Sequence, residues 1–97
     1  MMADGTLTQT VVVTNPQGLH ARPADMFVKL AGRYEARIEV IKDGERVDGK
    51  SILAILTLAA VEGSELTIEA TGPDAEAALD ALAKLVSRDF DENGTVE

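Results

Sequence analysis

Residues 36–47 read ARIEVIKDGERV, and this stretch decides the fold class. Ala36, Ile38 and Val40 alternate with Arg37 and Glu39, the period-two pattern of a strand with one buried face. Ile41 breaks the alternation, as at a sheet edge. Asp43-Gly44 follows, and a two-residue type I′ turn needs positive φ at both central positions, which suits this pair. A short strand then returns through Val47. The segment is predicted to be a β-hairpin.

Working outward, Glu65, Thr67 and Glu69 alternate with Leu66, Ile68 and Ala70, which predicts another half-buried strand. Gly72-Pro73-Asp74 stops it and suits the start of a helix. Ala75, Ala78, Leu79, Leu82, Leu85 and Val86 form the apolar stripe of that helix. From Asp89 onward a short acidic tail is expected to fray. Toward the N-terminus, Thr6 to Val13 is rich in Thr and Val, with Leu7, Val11 and Val13 on one parity, and reads as a strand. Asn15-Pro16-Gln17-Gly18 is loop chemistry. Ala24, Phe27, Val28 and Ala31 then recur at helical spacing, giving a helix over about 21–33 with Gly32 near its end. Ile52 to Ala60 reads as a further apolar helix. The order is β-α-β-β-α-β-α. An α+β fold is expected, an open-faced two-layer sandwich with a four-stranded antiparallel sheet covered on one side by three helices.

The chain has 97 residues, enough for one compact domain over 1–97 with its core at about 6–88. It lacks cysteine, so disulfides, thiolate metal sites and thiol nucleophiles are excluded. One histidine and no carboxylate cluster argue against a metal, and no cofactor is expected. The net charge of −8 disfavours nucleic acid and anionic membranes as partners. The opening MMADGTLTQT has neither a basic nor an apolar signal region, and the nearly apolar run Ile52 to Val61 is too short to span a bilayer. A cytoplasmic monomer is expected.

The one histidine, His20, lies where the Gly18 loop becomes the first helix. Helix starts expose backbone N–H groups and carry about half a positive charge, so they attract anions. Pro23 fits the first turn because the N–H it lacks would have had no partner there. Arg22 adds a planar cation suited to phosphate, and Gly18 frees the backbone just ahead of the ring. An imidazole ionises near pH 6.5, so its neutral form is abundant near neutrality. It can attack phosphorus and later release the group. The blander reading, a surface histidine or local cap, accounts for the residue without chemistry.

Gly18-Leu19-His20-Ala21-Arg22-Pro23-Ala24 resembles the active-site motif of the HPr family, the histidine-containing phosphocarriers of the bacterial phosphoenolpyruvate-dependent sugar phosphotransferase system. Gly49-Lys50-Ser51-Ile52 resembles the family's second signature, and the likeness runs from about Thr6 to Val86. The resemblance implies that His20 accepts phosphate on Nδ1 from Enzyme I and passes it to an Enzyme IIA. It implies that Arg22, with Gly18 and Ala21, cradles the phosphoryl oxygens. It also implies a protein substrate rather than an enzyme.

Ser51 to Ala60 reads SILAILTLAA, with apolar residues around most of the circumference. Either the helix is deeply packed, or Ile52, Leu53 and Leu56 stay exposed for docking, with Lys29 and Lys50 at the rim. Ser51 is a preferred N-cap; in some family members a dedicated kinase phosphorylates the matching serine. The alternative that the resemblance leaves open is a regulatory interaction module of a nitrogen-related or catabolite-regulation branch, acting by protein binding under control of Ser51 phosphorylation, with a kinase/phosphorylase and a regulator protein as partners.

Overall fold

The structure is a computed structural model that describes residues 6–90. Its elements are β1 (Thr6–Val12), α1 (Ala21–Ala31), β2 (Arg37–Lys42), β3 (Glu45–Asp48), α2 (Ile52–Thr57), β4 (Glu65–Thr71) and α3 (Ala75–Ser87). The strands form one sheet in the order β1-β4-β2-β3, and every neighbouring pair is antiparallel. The predicted hairpin pairs Lys42 with Glu45, and Asp43 and Gly44 both take positive φ, 50° and 84°.

The alternation in the strands sorts the two faces. Ile38, Val40, Leu66, Ile68 and Ala70 point into one layer of side chains, where they meet Phe27, Ala31, Ile55, Leu82 and Val86 from the helices. The opposite face is polar. Thr6 and Thr71 hydroxyls meet at 2.8 Å, and the Arg46 guanidinium donates to Glu39 at 2.7 Å and to Glu69 at 2.6 Å. Glu39 and Glu69 are directly opposed in the β2–β4 register, so the cation between them relieves a like-charge pair. Arg46 holds the Glu39 carboxyl below the usual carboxylate range, and the two carboxylates push the guanidinium further up.

Three expectations change in detail. The helix expected over Ile52 to Ala60 stops at Thr57, with Leu58 as C-cap and Ala59 at φ 51°. The early stop turns the Ala60 carbonyl toward Leu19, whose amide donates to it at 2.9 Å. Asp74 precedes α3 as foreseen, but its carboxylate does not cap that helix. Both oxygens instead accept backbone amides across the chain, from Glu35 at 2.9 Å and Ala36 at 2.8 Å, which fixes the entry into β2. The tail expected to fray from Asp89 is ordered at its first two positions. Phe90 is buried in the core cluster, and the Asp89 carboxylate accepts from the Thr14 hydroxyl. The rest of that tail, 91–97, lies outside the described residues.

Candidate functional site

The loop before α1 is built around Asn15. Its backbone carbonyl accepts from Gly18 N at 3.0 Å, and its side-chain Nδ2 donates to the Gly18 carbonyl at 2.7 Å. Pro16 and Gln17 occupy the exposed corner of this turn. Asn15 is buried, and its Oδ1 has no protein partner. Gly18 sits at φ 69°, where a β-carbon would overlap the Ala60 carbonyl oxygen. Only glycine satisfies both the left-handed backbone and that close approach. Leu19 then drops into the core and leaves His20 on the surface.

His20 is the N-cap of α1, with φ −81° and ψ −167°. Its backbone carbonyl accepts the first helical bond, from Ala24 at 3.0 Å. Its side chain makes no capping hydrogen bond. A residue such as Ser or Asp at this position would turn its oxygen back onto the first-turn amides. The imidazole instead stands exposed at the positive end of the helix. Ala21 opens that helix and is exposed, Pro23 is buried, and no acidic residue occurs in the first turn. The nearest acid along the helix, Asp25, pairs with Lys29 at 3.2 Å one turn later.

His20 and Arg22 line one open cleft of about 300 Å³ together with Gln17, Met26, Asp89 and Phe90. The cleft therefore carries an imidazole, a guanidinium, a helix start and an apolar floor. That combination suits the approach of an anion to a nitrogen nucleophile. The Thr14 hydroxyl engages the Asp89 carboxylate, the one acidic side chain among the described residues of the lining.

Ser51 is the N-cap of α2, and its Oγ accepts from Ala54 N at 3.2 Å. Of the apolar residues expected on the surface of α2, Leu53 is 74% exposed, whereas Ile52 and Leu56 are half-buried against the core. Ile55 and Leu58 take the fully inward positions. Lys50 departs from the expected rim position: its ammonium donates to the Tyr34 carbonyl at 2.7 Å and is tied to the turn after α1. Lys29 remains an exposed cation at the side of α1.

Two contributors escaped the sequence reading. Val61 is 64% exposed and its backbone lies against Gly18, which places an exposed apolar side chain beside the His20 loop. Only its place after an apolar run hinted at this. Phe90 was assigned to the tail because the residues around it are acidic, yet it lines the cleft. Among the described residues no group of His, Asp and Glu could hold a metal ion, and no helix is long and apolar enough to cross a membrane.

The chain is similar to known proteins along most of its length. Residues 7–88 match the model of the PTS HPr component phosphorylation site family. The chain is 42% identical over 86 residues to phosphocarrier protein HPr of Treponema pallidum, covering 89% of this chain and 98% of that one. It is 38% identical over 89 residues to phosphocarrier protein NPr of Escherichia coli, covering 91% and 99%. The crystal structure of phosphocarrier protein HPr from Bacillus anthracis superposes with a TM-score of 0.81 at 47% identity, covering 84% of this chain and 96% of that one. With that match over most of the chain, these identities and the shared architecture, the chain belongs to the HPr family of the phosphotransferase system.

Proposed function

We propose that this protein is a phosphocarrier of the phosphoenolpyruvate-dependent phosphotransferase system, loaded on His20 by Enzyme I and unloaded onto an Enzyme IIA. The observation that carries the reading is His20 itself: an N-cap residue whose side chain leaves the helix start uncapped and shares a cleft with Arg22. In the loading step the lone pair of neutral Nδ1 attacks phosphorus. The bond from phosphorus to its carrier atom on Enzyme I breaks, and its electron pair stays with that atom. Nε2 keeps its proton. Unloading reverses these roles, with the acceptor on Enzyme IIA as nucleophile.

Arg22 and the amide end of α1 are the groups that balance charge on the phosphoryl oxygens, and Gly18 and Ala21 let those oxygens approach the backbone. The chain is a protein substrate rather than an enzyme, and it works in the cytoplasm. Leu53, Ile52, Leu56 and Val61 form the docking surface beside the histidine, with Lys29 at its margin. Ser51, at the start of that surface, is where a kinase would weaken docking by adding charge. An interaction module without group transfer leaves the exposed imidazole and the uncapped helix start without a role.

Incubation with phosphoenolpyruvate and Enzyme I tests the reading. One equivalent of acid-labile, base-stable phosphate is expected per chain, and none on His20→Ala. Absence of labelling, or labelling that survives the substitution, overturns it.

A further inference from the structure

We propose that Asn15 is a positioning residue for phosphoryl transfer at His20, acting through the peptide group that joins Gly18 to Leu19; this rests on the carrier reading above. Asn15 carries the one polar side chain buried among the described residues, 8% exposed, and it lines the same cleft as His20. Its Nδ2 donates to the Gly18 carbonyl at 2.7 Å, while its Oδ1 is buried with no protein partner. Gly18 is itself buried, so an apolar residue at position 15 would leave the Gly18 oxygen unpaired instead. One orphaned oxygen stands in place of another, and the net gain in stability is small. What the amide adds is the direction of the Gly18 carbonyl.

That direction reaches the imidazole by a short route. Gly18, at φ 69°, has the freest backbone of the loop. Its carbonyl and the Leu19 N–H belong to one planar peptide group. Asn15 holds the oxygen of that group, and the Ala60 carbonyl accepts from its N–H at 2.9 Å. The plane is fixed from both sides, one peptide group ahead of His20. Leu19, buried in the core, and the N-cap conformation of His20 restrict the torsions that remain. Without Nδ2 the plane is held by the Ala60 bond alone and can tilt about it. A tilt there moves the imidazole relative to the start of α1, and group transfer loses rate steeply with small misplacement. Leu53 and Leu56 belong to α2, so the docking of Enzyme I is left as it was.

Steady-state phosphorylation of the full chain by phosphoenolpyruvate and Enzyme I tests the proposal, with thermal melts and amide hydrogen exchange on the same samples. Asn15→Leu and Asn15→Ala lose the same donor but differ in packing, since alanine leaves a void. Both are expected to lower kcat at least about tenfold, with KM for the chain within about twofold of wild type. Melting is expected to separate them, with Asn15→Leu close to wild type and Asn15→Ala below it. In Asn15→Leu the Leu19 amide is expected to exchange at least about tenfold faster while amides of the sheet keep their protection. The proposal is overturned by an unchanged kcat, by a change confined to KM, by a kcat that follows stability instead of the lost donor, or by failure of both variants to fold, which makes Asn15 a residue of the fold. Wild type that takes no label on His20 removes the carrier reading and the proposal together; labelled wild type with fully active variants removes the proposal alone.

Discussion

Two helix starts in this molecule use the same backbone geometry for different ends. At α2 the Ser51 hydroxyl turns inward and accepts the Ala54 amide, so the helix satisfies its own donor. At α1 the capping position is held by His20, which makes no such bond and presents its ring to solvent. A capping side chain contributes about 1 kcal/mol to a helix end. The α1 start forgoes that contribution and keeps its positive end facing an open cleft. The difference separates a helix terminus closed by its own cap from one left open to a cleft.

The largest effect is expected from making the first start resemble the second. His20→Ser supplies a capping oxygen in place of the imidazole. Phosphate transfer from Enzyme I is expected to vanish, while chemical denaturation shows stability raised by roughly 0.5–1 kcal/mol. A variant that is both inactive and markedly less stable would show that the imidazole supports the loop.

The converse change is smaller. Ser51→Ala removes the α2 cap and is expected to cost about 1 kcal/mol in the same assay, with labelling of His20 unchanged. A loss well below that figure would mean that α2 is held by Ile55 and Leu58 alone and that the contrast between the two starts is weaker than drawn.

The third helix start refines the comparison with the smallest effect. The Asp74 carboxylate serves the amides of Glu35 and Ala36 instead of its own helix, and the Glu35 amide foremost holds its pKa below the ordinary value of 3.8. A carboxyl with a depressed folded value contributes stability that is present above its unfolded pKa and is lost as pH falls through the folded one. Thermal melts from pH 6 down to pH 2 are therefore expected to show Asp74→Asn and wild type converging at the acid end, with wild type more stable above about pH 4. Parallel curves would mean that the carboxylate's charge contributes nothing to the clamp.

The strands and their faces were legible because period-two alternation leaves little choice of face once one side is buried. Leu66, Ile68 and Ala70 could only point inward if Glu65, Thr67 and Glu69 pointed out. Glycine, a lone imidazole and proline at a helix start marked His20 as a candidate but fitted a surface cap as well, and the phosphate reading of His20 and Arg22 came from the resemblance of Gly18 to Ala24 to a family motif. The partners of polar side chains were not legible. Asp74 at a helix start has a local use that the sequence suggests, and only the tertiary approach of residues 35–36 redirects it. Lys50 looked like a surface cation until the Tyr34 carbonyl came within 2.7 Å. Phe90 was obscured by acidic neighbours, since an average over a tail hides one buried ring. The early end of α2 leads into a hydrogen bond from Leu19, 41 positions upstream of its acceptor Ala60, which no window on the chain could contain.

The seating of Gly18 on Ala60 and Val61 has a mechanical consequence. Any protein that grips the chain by Leu53 and Val61 takes hold of the same block that carries the imidazole, with no joint between handle and tool. Alignment for in-line exchange is then inherited at the moment of contact, and the search for a reactive orientation shrinks to a single rigid encounter.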